Sequence, residues 1–375
     1  MTNLHFPPRR APFRADHVGS LLRPQIIQQA HYFNSPAAEL RAAEDEAIAR
    51  LVKLQKRSRI RVFTDGNARR ALSHCDFMTK LNGLDMKPAP RALDINSGYK
   101  AAAISPHLTG PLGFPADHPM LEHFRFLNDL VKPADGVAKI SIPAPSAVHF
   151  RSLPEHIEYG PYLDQGLMFH DIAQTYKDAV QAFYDAGCRY LQFDDVVLAH
   201  LGDPNQRALR RAIGQDPDKL VEHYAWMLEE AIKDRPADMV IALHICRGNF
   251  RSDHMAAGGN DLAMDAIFNR TSVDVYFIGY DSDHAGRLGL LGLLPKGHKR
   301  VMAGFITTKT GALESLDDLH RKVDAAARFC DLDQLGIAPH CGFSSAEHRS
   351  AITEDDQKRK LRLLVDTAQK IWGES

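Results

Sequence analysis

Eight short runs of β-branched and other apolar residues recur along the chain, each followed by a small polar cluster and most by a stretch with helical spacing of apolar side chains. The runs are ADHVGS (15–20), RVFTDG (61–66), AKISIPAP (138–145), YLQFDDVV (190–197), MVIALHIC (239–246), VDVYFIGYD (273–281), RVMAGFITT (300–308) and LGIAPHCG (335–342). Between them, residues 37–58, 168–187, 218–234 and 316–329 read as amphipathic helices, and Gly187 sits where a helix would stop before the next strand. Regular alternation of this kind predicts an α/β fold, a (β/α)8 TIM barrel, with a doubly wound open sheet as the main competitor. Residues 85–118, rich in Pro and Gly, read as an extended excursion after the second strand, and 1–375 as one domain.

Composition narrows the function classes. Lys and Arg number 46 against 47 Asp and Glu, so no patch of one sign dominates, and neither a nucleic-acid nor a membrane-surface partner is expected. The N-terminus lacks the apolar core of a secretory signal and no run approaches the length of a bilayer span, which points to the cytoplasm. The cysteines, Cys75, Cys188, Cys246, Cys330 and Cys341, are odd in number and widely spaced, as in a reducing compartment where thiols pack, bind metal or react.

In a barrel of this type the reactive groups stand where strands end. The run ends carry Ser20, Asp65 with Asn67, Asp194 with Asp195, His244 with Cys246, Tyr280 with Asp281, Thr308 with Lys309, and His340 with Cys341. Residues two apart on a strand point the same way, so His244 and Cys246 can converge on one ion, with Cys341 arriving from the eighth strand. One imidazole and two thiolates suit zinc, and three protein ligands leave a position for substrate. The bland alternatives are that these cysteines are small buried hydrophobes and that Asp194 and Asp195 cap the following helix. His340 adjoins Cys341 on the opposite face and reads as a supporting histidine.

The segments FRADHVGSLLRP, FTDGNARR, LQFDDVVLAHL, LHICRGN, AGFITTKTGALESLDDL and LGIAPHCGFSS, in order from about residue 13 to 345, resemble the catalytic domain of cobalamin-independent methionine synthases. That resemblance implies a (β/α)8 barrel, one zinc ion per chain on His244, Cys246 and Cys341, and a substrate thiol bound as thiolate. Two departures stand out. A glutamate expected as a further zinc ligand falls on Gly279, so Asp281, Asp283, His284 or solvent would take its place. A glutamate expected to hold the amino group of homocysteine falls on Asn67. Among similar proteins, these departures fit the epoxyalkane:coenzyme M transferases, whose thiol has no amine.

The resemblance then implies that a short-chain epoxide such as epoxypropane is opened by coenzyme M, the co-substrate, to give 2-hydroxyalkyl-coenzyme M. The alternative is methyl transfer from methyltetrahydrofolate to homocysteine. In either case the partners are a small-molecule thiol and an alkyl electrophile; self-association into a homo-oligomer stays open. His17, Tyr280 and His340 are the candidates to protonate the product oxygen, and Ser20, Asn67 and Asp194 to hold substrate. Arg14, Arg69, Arg70, Arg247 and Lys309 are candidate partners for an anionic group.

Overall fold

A computed structural model of the chain describes residues 12–32, 35–70, 75–88, 104–132, 135–245, 259–280, 285–344 and 352–374. Its strands are β1 (Val62–Phe63), β2 (Asn82–Pro88), β3 (Ile104–Gly113), β4 (Val137–Ala138), β5 (Ile140–Pro143), β6 (Tyr190–Asp195), β7 (Val240–Ile245), β8 (Val275–Gly279), β9 (Arg300–Ile306) and β10 (Leu335–Pro339). Strands β5 to β10 lie side by side in chain order, all parallel. β1 pairs in parallel with β4, which continues into β5 across Lys139.

The first run closes the ring. Ala15 pairs with Ile337 of β10, where the Asp16 amide donates to the Ile337 carbonyl (3.2 Å) and the Ile337 amide to Arg14 (2.7 Å). At its other edge Ser20 pairs with Gly66 beyond β1, and the Leu21 amide donates to Gly66 (3.1 Å). With β4 and β5 counted as one strand broken at Lys139, the eight runs become eight parallel staves of a barrel, as the alternation predicts. The excursion after the second stave is an antiparallel hairpin of β2 and β3.

The helices form where the apolar periodicity places them. Gln165–Asp185 starts at Asp164, whose carboxylate accepts from the Gly166 and Leu167 amides, and its chain exit turns at Gly187 with φ +99°. Glu354–Trp372 starts in a reciprocal cap between Thr353 and Asp356 and ends at Gly373 in the left-handed conformation. Ala37–Arg57, Pro217–Ile232 and Leu316–Ala326 match the expected stretches to within three residues. Among the described residues no helix is long and apolar enough to cross a membrane.

Strand alternation divides the side chains into two cores. Phe13, Val18, Val62, Val137, Tyr190, Val240, Ala242, Val275, Phe277, Met302 and Ala338 form the cluster inside the barrel, and the larger cluster lies between strands and helices. The interior also holds an ion pair. The Lys139 ammonium donates to Asp16 (2.8 Å) and to the His17 carbonyl, lies 4.2 Å from the Phe277 ring centroid, and the Tyr190 hydroxyl donates to the other Asp16 oxygen (2.7 Å). Burial pushes the Lys139 ammonium below its ordinary value while Asp16 pulls it back.

Removing one partner would leave the other charge dry. Asp16→Ala is expected to lower the unfolding free energy read from denaturant titration by about 3–5 kcal/mol, whereas Asp129→Ala, which breaks an exposed pair with Lys132, should change it by less than about 1 kcal/mol. Acid acts on a different group of residues. Burial lowers the imidazoles of His17, His149 and His200 from 6.5 to about 4, about 3 and about 4. The unfolded chain binds those protons before the fold does, so stability should fall as pH drops from 6.5 towards 4. Equilibrium unfolding at pH 7 and pH 5 would check this; His17→Gln should flatten the slope.

Candidate metal and substrate site

Register sets the centre of the site. Asp194 on β6 stands directly beside His244 on β7, both near the C-terminal strand ends. The His244 Nδ1 lies 3.1 Å from Asp194 Oδ1, so the carboxylate draws the ring proton to Nδ1 and makes Nε2 the nitrogen with the lone pair. The same carboxylate oxygen accepts from Gln192 Nε2 (2.7 Å), which also donates to the Val18 carbonyl (2.8 Å). Gln192 and Asp194 share a strand face, two residues apart, and both are buried. Carboxylate, imidazole and an Nε2 lone pair in that order suit a zinc ligand whose outer hydrogen bond fixes its tautomer.

Cys341 comes from the opposite side of the sequence. It lies two residues beyond β10 and is half-buried. Gly342 presses against the first stave so closely that a Cβ there would lie 1.7 Å from Ser20 Oγ, and the Phe343 amide donates to the Ser20 carbonyl (3.0 Å). Ser20 therefore adjoins Cys341 on one rim. Asn67 follows Gly66, the strand partner of Ser20, and has φ +58° with its amide donating to Asp65 Oδ1 (2.9 Å). That left-handed conformation is one that Asn adopts more readily than most side chains, so the backbone supplies its own reason for Asn at this position.

Gly279 stands where the resemblance leads one to expect a glutamate ligand. A Cβ at Gly279 would lie 2.9 Å from the His340 carbonyl oxygen, and one at Gly304 would lie 2.6 Å from His340 Cα. The end of β8, β9 and residue 340 close up through two glycines, leaving no room for a side chain at 279. The candidate replacements Asp281, Asp283 and His284, the candidate ligand Cys246 and the candidate cation Arg247 lie outside the described residues. Among the described residues no group of three His, Cys, Asp or Glu side chains is close enough to hold a metal. Two of the three expected ligands stand on the same rim, and their donor types, a carboxylate-backed imidazole and a thiol, fit zinc.

The paired aspartates divide their work. Asp195 Oδ1 accepts from the Val197 and Leu198 amides (2.7 and 2.9 Å) and Oδ2 from Ser146 Oγ (2.8 Å), so it caps the next helix while Asp194 faces His244. His340 Nδ1 accepts from the Thr308 amide (3.1 Å), which places the proton of the neutral ring on Nε2. Lys309 is exposed on the same loop. Tyr280 packs on Phe305 with centroids 5.6 Å apart, in the layer outside the barrel.

Two expectations fail, each for a physical reason. His17 faces outward: its Nε2 meets Gln55 (3.1 Å) on the helix behind the strand and the Val62 carbonyl, and its fully buried ring is held neutral to about pH 4. Its neighbour Asp16 is the residue that points inward. Arg14 sits at the other end of the barrel, donating to the Asp333 and Leu335 carbonyls (both 2.8 Å) and pairing with Asp333 and Glu374, with Trp372 against it. Leu335 opens β10, so Arg14 cannot reach a group bound at the strand ends. Arg69 is likewise engaged, with Glu44 and Asp45. Gln192 is the contact that sequence reading passed over, although its spacing from Asp194 repeats the two-residue period of His244 and Cys246.

The family model for the catalytic domain of the cobalamin-independent synthases matches residues 24–370. The uncharacterised protein YxjH of Bacillus subtilis (strain 168) is 40% identical over 369 residues, covering 97% of this chain and 96% of that protein. A methionine synthase of Methanothermobacter thermautotrophicus is 24% identical over 326 residues, 86% of this chain and 88% of its own. A solved structure from Listeria monocytogenes, named as a candidate vitamin-B12-independent methionine synthase, superposes with a TM-score of 0.78 at 35% identity, covering 97% of this chain and 99% of that one. A B12-independent methionine synthase from Shewanella sp. W3-18-1, solved with selenomethionine, has the same fold at a TM-score of 0.70 and 19% identity, with 96% and 97% covered.

The packing at Gly279 can be checked directly. Gly279→Ala should lower the unfolding free energy by about 1–3 kcal/mol, because the His340 backbone must give way, and urea denaturation reads the change.

Proposed function

The chain belongs to the cobalamin-independent synthase catalytic-domain family, and from that premise we propose that it is a zinc-dependent thiol methyltransferase acting on homocysteine or a close thiol analogue. The observation that carries the reading is the Asp194–His244 contact at the strand ends, with Cys341 and Ser20 on the same rim. His244, Cys246 and Cys341 would hold the metal, which when bound supplies the charge that keeps a substrate thiol deprotonated near neutral pH. The whole chain, 1–375, serves as one catalytic barrel.

The protein's own groups do the rest. Asp194, oriented by Gln192, holds His244 in the tautomer that offers Nε2. Ser20 and Asn67, brought together by the Ser20–Gly66 bridge, would form the side of the site against which the thiol's carbon chain lies. The sulfur then attacks the methyl carbon of a donor of the methyltetrahydrofolate class, and the donor's amine leaves, taking up a proton. His340, whose neutral ring carries its proton on Nε2, would be the group to deliver it.

Asn67 supports a second reading, in which coenzyme M opens a short epoxide, since an amide gives no charge for an ammonium. The left-handed backbone at 67 weakens that support, because it favours Asn whatever the substrate. The deciding assay offers zinc-loaded protein homocysteine with a methylated folate, and separately coenzyme M with epoxypropane. Methionine formation in the first arm alone upholds methyl transfer; thioether in the second alone overturns it in favour of epoxide opening. Asp194→Asn should weaken zinc binding about 10–100-fold in competition with a chelator, and Cys341→Ala should lose metal and turnover together.

A further inference from the structure

Arg70 lies three residues beyond Asn67 and is 7% exposed, yet among the described residues no carboxylate pairs with it. Its guanidinium donates to the Ser141 carbonyl of β5, and its Nε is buried without a hydrogen-bond partner. Several other arginines with buried side chains have partners that Arg70 lacks. Arg14, Arg69 and Arg235 each have a carboxylate, and Arg210 stacks at 3.6 Å on Phe150 while bonding to the Phe150 carbonyl and Gln215. A dry guanidinium left with one carbonyl is costly unless an anion completes it.

The neighbouring strands hold two further polar atoms in the same condition. Ser141 Oγ and Gln192 Oε1 are both buried without partners, and these residues stand opposite one another in the β5–β6 register. Gln192 is the residue whose amide nitrogen fixes Asp194. Three unsatisfied groups on consecutive staves, one cationic donor, one hydroxyl and one carbonyl acceptor, thus lie immediately beside the residues that orient His244.

Resting on the thiol-transfer reading above, we infer that Arg70, with the Ser141 hydroxyl, binds the anionic end of the thiol substrate, a carboxylate or a sulfonate. Gln192 Oε1 is then positioned to accept from an amino group when the thiol carries one. Guanidinium geometry matches either oxyanion through paired donors, whereas Lys offers a point charge.

Calorimetric titration of zinc-loaded protein with homocysteine, coenzyme M and the uncharged 2-mercaptoethanol tests this, on wild type, Arg70→Gln and Arg70→Lys. Arg70→Gln should weaken the charged thiols by about 30-fold and leave 2-mercaptoethanol unchanged, with partial recovery in Arg70→Lys. Which charged thiol wild type prefers separates carboxylate from sulfonate. Equal weakening for all three thiols, no change for any, or failure of wild type to bind either charged thiol overturns the assignment. Charged thiols bound through Arg70 with no alkylated product in any assay would instead sink the transfer reading and uphold the anion site.

Discussion

The alignment of β6 with β7 is the constraint on which the site depends. A parallel ladder pairs residues one to one, so setting Tyr190 beside Val240 also sets Asp194 beside His244 four residues later. A slip of β6 by one residue would turn Asp194 into the strand–helix layer and away from His244. The tautomer of His244, with its lone pair on Nε2, and the placing of Gln192 beneath the carboxylate both follow from that register. Rigid neighbours enforce it, because the interior face of each stave is filled by the apolar cluster below the site.

That interior is not wholly apolar. Lys139, Asp16 and Tyr190 place a compensated ion pair within it, and the break between β4 and β5 occurs at Lys139. Satisfying a buried ammonium requires several partners in fixed positions, so the network ties the first stave, the third and the fourth together. The barrel closes at the first stave through isolated bridges and a few amide bonds, and the ion pair lies at that joint. Hydrogen bonds to Asp16, the His17 carbonyl and Tyr190 offset part of the cost of desolvating these charges.

Two glycines show how packing edits a catalytic rim. Gly279 and Gly304 let the strand ends and residue 340 approach within contact distance, a space where a ligand side chain cannot stand. At Asn67 the restriction is torsional: a left-handed backbone selects for a short polar side chain. Substitutions that look like choices of substrate chemistry in the sequence thus have local steric and conformational causes.

Much was legible before any coordinates. Eight apolar runs with intervening helical periodicity specify eight staves, because strand and helix impose different spacings on apolar residues, and the His244-x-Cys246 pair announces itself by the two-residue period. Asp194 was visible as a strand-end carboxylate, and its difference from Asp195 was not. Alternation says that neighbours face opposite ways; which of them faces inward is decided by the closed ring and the helix behind it, as Asp16 and His17 show in reverse of the expectation. The end of the barrel at which Arg14 lies, and the isolation of Arg70 from any described carboxylate, depend on residues hundreds of positions away or on neighbouring strands. Periodicity along the chain is a local property that sequence by itself determines, while partner identity is a sum over contacts that only the tertiary structure decides.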